Sequence, residues 1–158
     1  MNPSVHDRLS SVVRALEGVV LPALPANAAL AREQAMLSIG HIQIVLAQLD
    51  ATPAFEAEEV ADIEAMAQAV LGLAAGGKAT RAAADALRAT LADSAPRPAR
   101  ARLEQVQDGI DAVLIALASD GDPAAQKAVS QQVLALGAAR AAKDRAWFAA
   151  MGFDAGHS

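Results

Sequence analysis

The sequence contains no cysteine in its 158 residues. Disulfide bonds, thiolate metal sites and cysteine nucleophiles are therefore excluded. The N-terminus carries His6, Asp7 and Arg8 where a secretory signal peptide would need an apolar core. No apolar run approaches the roughly 20 residues that cross a bilayer. We therefore expect a cytoplasmic protein that has no membrane partner.

Residues that favour β-strands are also scarce. Tyrosine is absent, and the chain has one tryptophan and three phenylalanines. Alanine, which has the highest helix propensity, occurs instead in runs such as 82–84, 138–139 and 141–142. The composition predicts an all-α protein.

Basic charge is limited. The net charge is −5, and the densest basic stretch consists of Arg97, Arg100 and Arg102 without aromatic residues among them. Proteins that bind nucleic acid usually present a basic stripe that replaces the counterions of phosphate. We therefore expect no nucleic-acid partner.

Proline, glycine and capping residues divide the chain into about six helical segments. Ser4 and Asp7 have the outline of a capping box, Asn27 is a candidate N-cap, and Thr52-Pro53 reads as an N-cap followed by an N1 proline. The segments are expected at 4–21, 27–50, 52–76, 80–93, 99–119 and 123–151.

Apolar residues recur along these segments at spacings of three and four, which indicates amphipathic helices. In the first segment this stripe consists of Val5, Leu9, Val12, Leu16 and Val19. The connections are short, so sequential helices should be antiparallel. We predict one domain over residues 1–158, an up-down helical bundle of four or more main helices.

The stretch from Gly72 to Lys78 matches the GxxxxGK part of a phosphate-binding loop. Ala79 occupies the Ser/Thr position that would hold magnesium, and the segment before the loop is a helix, not a strand. We therefore interpret the glycines as a left-handed stop between two helices and expect no nucleotide cofactor.

Metal and catalytic sites are not predicted. None of the three histidines has a glutamate three residues before it, as di-iron bundles require, and no GxSxG element is present. An acidic cluster lies in the first turns of the third segment, where it complements the helix dipole, so we interpret it as a solvated face. Its members are Glu56, Glu58, Glu59, Asp62 and Glu64.

The second segment carries two opposed polar lines. Arg32, Gln43 and Asp50 form the line that we expect to face solvent. The other line is flanked by apolar residues, so we expect it to be buried and to need hydrogen-bond partners. This second line consists of Gln34, Ser38, His41 and Gln48. Three interpretations stay open: polar layers in a bundle or dimer seam, a small-ligand pocket, and catalysis with His41 as acid or base.

The last segment concentrates the scarce aromatic residues and spans roughly 43 Å at 1.5 Å per residue. Trp147, Phe148 and Met151 could dock within the chain or form a self-association interface. We predict a homodimer through this end or through an alanine-rich helix face, because a symmetric contact lets one patch cover its own copy.

The first 50 residues or so carry a resemblance. It rests on Asp7-Arg8-Leu9, Leu16-Glu17, Val20 to Pro25 and Ala31 to Gln34. These positions resemble small all-helical proteins of proteobacteria that have no assigned activity. The resemblance implies a bacterial source and supplies no activity, cofactor or site residue. The sequence favours a non-enzymatic interaction or accessory protein that self-associates. The alternative is a ligand-binding or enzymatic bundle with its pocket beside the second segment.

Overall fold

A computed structural model describes residues 3–149. Of the residues described, 85% are helical and none lies in a strand, which confirms the all-α helical prediction. The elements are α1 (Val5–Ala15), a π-helical turn (Leu16–Val20), α2 (Leu21–Ala23), α3 (Ala29–Gln48), α4 (Thr52–Leu73), α5 (Lys78–Ala92), α6 (Ala99–Asp120) and α7 (Pro123–Ala149). Because α1, the π turn and α2 are continuous in backbone conformation, residues 3–149 form six helical segments, as predicted.

The first helix begins as its sequence predicts. The Ser4 hydroxyl accepts a hydrogen bond from the backbone N–H of Asp7, and the Asp7 carboxylate accepts one from the N–H of Ser4, each at 3.1 Å. The reciprocal bonds are the capping box. The expected end at Leu21 is wrong, because the π turn carries the helix past Pro22 as far as Ala23.

Two other predicted caps are also wrong. The N-cap of α3 is Ala28, which offers no side-chain hydrogen bond, and Asn27 lies one residue earlier. Thr52 is already the first residue of α4. Its hydroxyl donates to the carbonyl of Gln48 at 2.9 Å, so it bonds back to the end of α3 and does not cap α4. Candidate capping residues were therefore correctly placed only to within one or two positions.

The chain divides into two compact units, residues 3–53 and residues 54–149 of the described part. We call the first the hairpin unit, because it consists of the first helix and α3. The second is the bundle unit, which consists of α4, α5, α6 and α7 from residue 54 onward. The single domain over residues 1–158 stays a prediction.

The bundle unit has a well-formed core. All four helices contribute to one apolar cluster of buried side chains, and the largest of them are almost without solvent contact. The cluster consists of Ile63, Ala67, Val70, Leu71, Ala84, Leu87, Val106, Ile110, Val113, Leu117, Ala125 and Val129. At about 1.5–3 kcal/mol for each large apolar side chain fully buried, this core is the main stabilising feature of the unit.

The hairpin unit has very little core by comparison. Among its described residues only Val13 and Ile39 are buried. The predicted apolar stripe of the first helix is divided: Leu9 and Leu16 are half-buried, whereas the three valines of the stripe are exposed. The reason is that α1 packs against one neighbour in its unit, α3, and a stripe that alternates spacings of three and four is wider than one neighbouring helix covers.

Candidate functional site

The structure places the polar line of α3 on an exposed surface. Gln34, Ser38 and His41 are exposed, and Gln48 is half-buried. The Ser38 hydroxyl donates to the carbonyl of Gln34 at 2.8 Å, a bond within the same helix. The expectation that this line is buried is therefore wrong for three of its four members. A small-ligand pocket needs enclosing apolar walls, which exposed residues do not have.

The opposite polar line of α3 is the one that faces a neighbour. Arg32 donates to the carbonyls of Leu21 and Leu24, at 3.3 and 3.2 Å, where the first helix ends. Gln43 donates to the carboxylate of Glu17 at 3.4 Å. The line expected to be wet therefore flanks the contact between the two helices. Arg32, Gln43 and Asp50 are themselves exposed, as expected, so the error concerns the predicted burial of the other line.

The far end of α7 has a partner within the chain. The ring of Trp147 stacks on Phe55 of α4, with centroids 4.2 Å apart and planes 23° apart. Trp147 is half-buried and Phe148 is exposed, while Met151 lies outside the described residues. Of the two alternatives for Trp147, this stacking corresponds to docking within the chain, because Phe55 covers part of its ring. The predicted interface at Trp147, Phe148 and Met151 stays a prediction.

Ion pairs join the same two helices. The Arg140 guanidinium lies 2.6 Å from the carboxylate of Glu59, which is buried. Lys143 pairs with Asp62 at 2.8 Å and with Glu58 at 3.1 Å. The hydrogen bond to Asp62 is the main factor that raises the pKa of Lys143. The interpretation of the acidic cluster as a solvated face is therefore wrong for Glu59, since it holds α7 against α4.

A cleft of about 260 Å³ lies beside these ion pairs. Its walls include Ile63, Met66 and Leu136, and its cationic groups are Arg140 and Lys143. Both cations are already engaged by carboxylates of α4. A ligand in this cleft would have to compete with those carboxylates, so the arrangement serves to stabilise the α4–α7 contact.

The glycine-rich stretch forms a contact between two connections of the bundle unit. The segment between α4 and α5 pairs with the segment between α6 and α7 as a short antiparallel bridge at Gly76 and Gly121. The N–H of Gly77 donates to the carbonyl of Asp120 at 2.8 Å, and the N–H of Asp122 donates to that of Ala75 at 2.9 Å. A Cβ on Gly76 would lie 2.6 Å from the Cα of Gly121. Glycine is required here by close approach of two backbones.

The expected left-handed stop is therefore wrong. Gly77 has φ −74° and is the N-cap residue of α5. The N-terminus of α5 is occupied by the Asp120 carboxylate, which accepts from the N–H groups of Ala79 and Thr80 at 2.7 and 2.9 Å. It also accepts from the buried Thr80 hydroxyl at 2.6 Å. These donations, the hydroxyl first, lower the pKa of Asp120. An aspartate of the chain thus occupies the position that phosphate takes in a nucleotide-binding loop.

The basic stretch is also engaged within the chain. Arg102, which is largely buried, lies 2.6 Å from the carboxylate of Glu64 and donates to the carbonyls of Thr90 and Leu91 at the end of α5. Arg100 pairs with Glu104 at 3.1 Å, and Arg97 pairs with Asp93 at 2.5 Å. These side chains join α4, α5 and α6 or cap their ends.

The hairpin unit presents large apolar side chains to solvent. On α1 and the π turn, Val5, Val12 and Val19 are 60%, 46% and 67% exposed. We call these three residues the valine line. The other exposed large apolar residues of the unit are Val20, Leu30, Met36, Leu37 and Val45. The seven-residue spacing of Val5 and Val12, both in α1, was the sequence signal for an apolar side beyond the one that α3 covers.

Metal centres and membrane-spanning helices are two further classes of site, and neither is found in the part of the chain that the structure describes. No cluster of three or more histidine, aspartate or glutamate side chains there is arranged to hold a metal ion. Within the same residues, every helix is too short or too polar to traverse a bilayer.

Comparison with known proteins gives no family, since no family profile, curated protein or solved structure matches the chain significantly.

Proposed function

We propose that the protein is a non-enzymatic interaction protein of the bacterial cytoplasm, and that it self-associates through its hairpin unit. The bundle unit is the folded platform, and the hairpin unit provides the binding surface. The observation that carries the proposal is the distribution of exposed apolar side chains. Eight of the twelve large apolar residues exposed in the described chain belong to residues 3–53, which contribute only two buried ones.

Apolar surface that stays exposed to water has a cost in free energy. Apolar surface left in water costs about 25 cal/mol for each Å² that a partner would cover. Monomeric proteins rarely expose contiguous apolar patches larger than about 300–600 Å² unless the patch is functional. Eight large exposed side chains in one small unit favour a surface that a partner covers. A partner that covers them also stabilises the hairpin, because a ligand of the native state raises its stability.

A second copy of the protein is a partner that is always present, at the protein's own concentration. Self-association through a two-fold axis needs a single surface, because the same patch then lies on both sides of the contact. The polar line of α3 fits this assignment as well. Exposed glutamine, serine and histidine beside apolar residues supply hydrogen bonds at a helix seam, which can fix its register.

Sedimentation velocity of the full chain from about 1 to 100 µM tests the proposal, because it covers binding free energies from about −8 kcal/mol to weaker values. We expect a reversible shift from monomer to dimer that stops at the dimer. A monomer throughout the range would overturn the proposal, and so would open-ended aggregation, since a two-fold contact is closed.

A further inference from the structure

We infer that the last part of α7, residues 138–149, is an arm that detaches from α4 while the rest of the bundle unit stays folded, and that rising ionic strength favours the detached state. We call residues 138–149 the α7 arm. The arm belongs to the bundle unit, so this conformational change is independent of the proposed self-association through the hairpin unit.

The inner face of α7 changes in chemical character along the helix. Buried and half-buried positions recur at intervals of three or four residues, which is the spacing of a single helix face. These positions are Ala125, Val129, Val133, Leu136, Arg140, Lys143 and Trp147. The first four are apolar, and two of them belong to the core cluster. The next two are cations, and none of the side chains described from 138 to 148 is buried. The core therefore holds the first part of α7, and ion pairs with one aromatic stack hold the arm.

The pairs of Lys143 are open to water. Its ammonium group lies 3.1 Å from Glu58 and 2.8 Å from Asp62, and those two carboxylate side chains are 67% and 54% exposed. Water and dissolved ions screen the attraction between exposed charges, and the screening grows with ionic strength. The contact of Lys143 with α4 is therefore sensitive to salt, whereas the apolar contacts of Val129 are not.

The pair of Arg140 with Glu59 lies in a less polar environment. Glu59 is buried, so its attraction for Arg140 is offset by the loss of its hydration. Its Oε2 atom accepts the bond from Arg140, whereas its Oε1 atom accepts none from any residue that the structure describes. A buried acceptor without a donor costs free energy. Apolar side chains at these two positions would hold the helices together at least as strongly, so the arm is the weaker part of the α4–α7 contact.

A glycine marks the border between the two parts of α7. Gly137 is exposed, and a Cβ added there would meet no atom within 4 Å, so close packing does not require glycine at this position. Glycine is a poorer helix former than alanine, which makes this point the weakest of the helix. A helix of about 12 residues is marginal in water without tertiary contacts. Detachment of the arm should therefore expose its backbone amides.

Amide hydrogen exchange of the full chain tests the independence of the arm. We expect arm amides to exchange through an opening whose equilibrium constant exceeds that of α6 amides by about 100-fold or more. Raising NaCl from about 0.05 to 0.5 M should increase the arm constant by about 3-fold or more and should not increase that of α6. In Lys143→Gln this response to salt should largely disappear. Arm amides that open only together with those of α6 would overturn the inference.

Substitution of Arg140 tests the contact with Glu59. Arg140→Gln leaves the buried carboxylate without its cation, so the opening constant of the arm should rise by about 30-fold or more. Glu59→Gln in the same chain removes the second charge and should reverse most of this rise. The matched control is Arg100→Gln, which breaks an exposed pair with Glu104 on α6 and should leave the arm unchanged.

Fluorescence gives an independent measurement, because Trp147 is the single tryptophan of the chain and lies in the arm. In Arg140→Gln we expect emission at longer wavelength and stronger quenching by acrylamide, since detachment separates Trp147 from Phe55. The far-UV circular dichroism of the variant should keep most of the wild-type helix signal. Equal acceleration of exchange in the arm and in α6 would mean that the ion pair stabilises the whole bundle unit, which overturns the arm. Wild-type exchange and emission that do not respond to salt would overturn its dependence on ionic strength.

Discussion

The hairpin unit and the bundle unit are built from similar alanine-rich helices, yet they differ in how far their apolar side chains are buried. In the bundle unit four helices surround one cluster, and Val70, Val106 and Val113 have no solvent contact. Within the hairpin unit the first helix packs on α3, and the valine line is exposed. An apolar side of a helix is buried only when another element packs on it. An apolar side without such an element stays exposed and can bind a partner.

The polar contacts differ in the same way. In the bundle unit, Arg102 joins three helices and Asp120 joins two connections, and both lie at least partly buried. In the hairpin unit, Arg32 and Gln43 bond across the contact from exposed positions. Exposed polar bonds contribute less than buried ones, because water competes for both partners. We therefore expect the hairpin unit to be the less stable of the two.

The largest difference should appear when one large side chain is removed from each unit. Leu87→Ala removes a side chain that is 1% exposed, and we expect a loss of about 2–5 kcal/mol in the free energy of unfolding. Leu37→Ala removes an exposed one, so the loss should be below about 0.5 kcal/mol at concentrations where the chain is monomeric. Urea denaturation followed by circular dichroism measures both. Equal losses would contradict the contrast between the units.

The paired connections of the bundle unit can be broken by one methyl group. Gly76→Ala places a Cβ against the Gly121 backbone, which cannot move aside as a flexible side chain can. We expect a loss of about 1–3 kcal/mol from overpacking. Gly72→Ala is the matched control, since its Cβ would meet no atom within 4 Å. A Gly76→Ala protein as stable as the control would show that the two connections do not pair in solution.

The Asp120 cap predicts a pH dependence. Its pKa is lowered by the Thr80 hydroxyl and the N–H groups of α5, so its stabilising effect is present above the ordinary aspartate pKa of about 3.9 and is lost as the pH falls through the lower folded value. Asp120→Asn should lower Tm at pH 7, and the difference from wild type should shrink towards pH 2. Asp122→Asn makes the same charge change two residues on. If Asp120→Asn and Asp122→Asn lower Tm equally at pH 7, loss of the Asp120 cap on α5 does not explain the lower Tm of Asp120→Asn.

The smallest effect is expected inside the hairpin unit. Gly40 lies in the middle of α3 and has no atom within 4 Å of an added Cβ. Gly40→Ala should stabilise α3 by about 0.5–1 kcal/mol, because alanine has the higher helix propensity. Hydrogen exchange should show slower opening of α3 amides and unchanged opening of α6 amides. Slower opening in both would mean that the two units unfold together.

Much of the fold could be predicted from local patterns. The apolar seam of α6 identifies its buried face, including Val106, Ile110 and Val113, because a central helix in a bundle has one dominant apolar side. The capping box at Ser4 was also correct, since its two partners are three residues apart. Both are local features, because the residues that form them lie within one helix and close together in the sequence.

The errors have the opposite origin. Asp120 caps α5 from 40 residues away, and Arg140 pairs with Glu59 from 81 residues away. No local pattern indicates such contacts. The burial of Gln34, Ser38 and His41 was predicted wrongly, because periodicity defines the faces of a helix and does not say which face has a neighbour.

The most direct measurement of the contrast is amide hydrogen exchange of the full chain at two protein concentrations, one below and one above the dimer dissociation constant. We predict that the protection of α1 and α3 amides from exchange rises with protein concentration, because association covers the hairpin unit. Protection in α4 and α6 should be high at both concentrations, since their core is complete within one chain. Hairpin amides that are as protected as those of α6 at the lower concentration, and that do not respond to the higher one, would contradict the account.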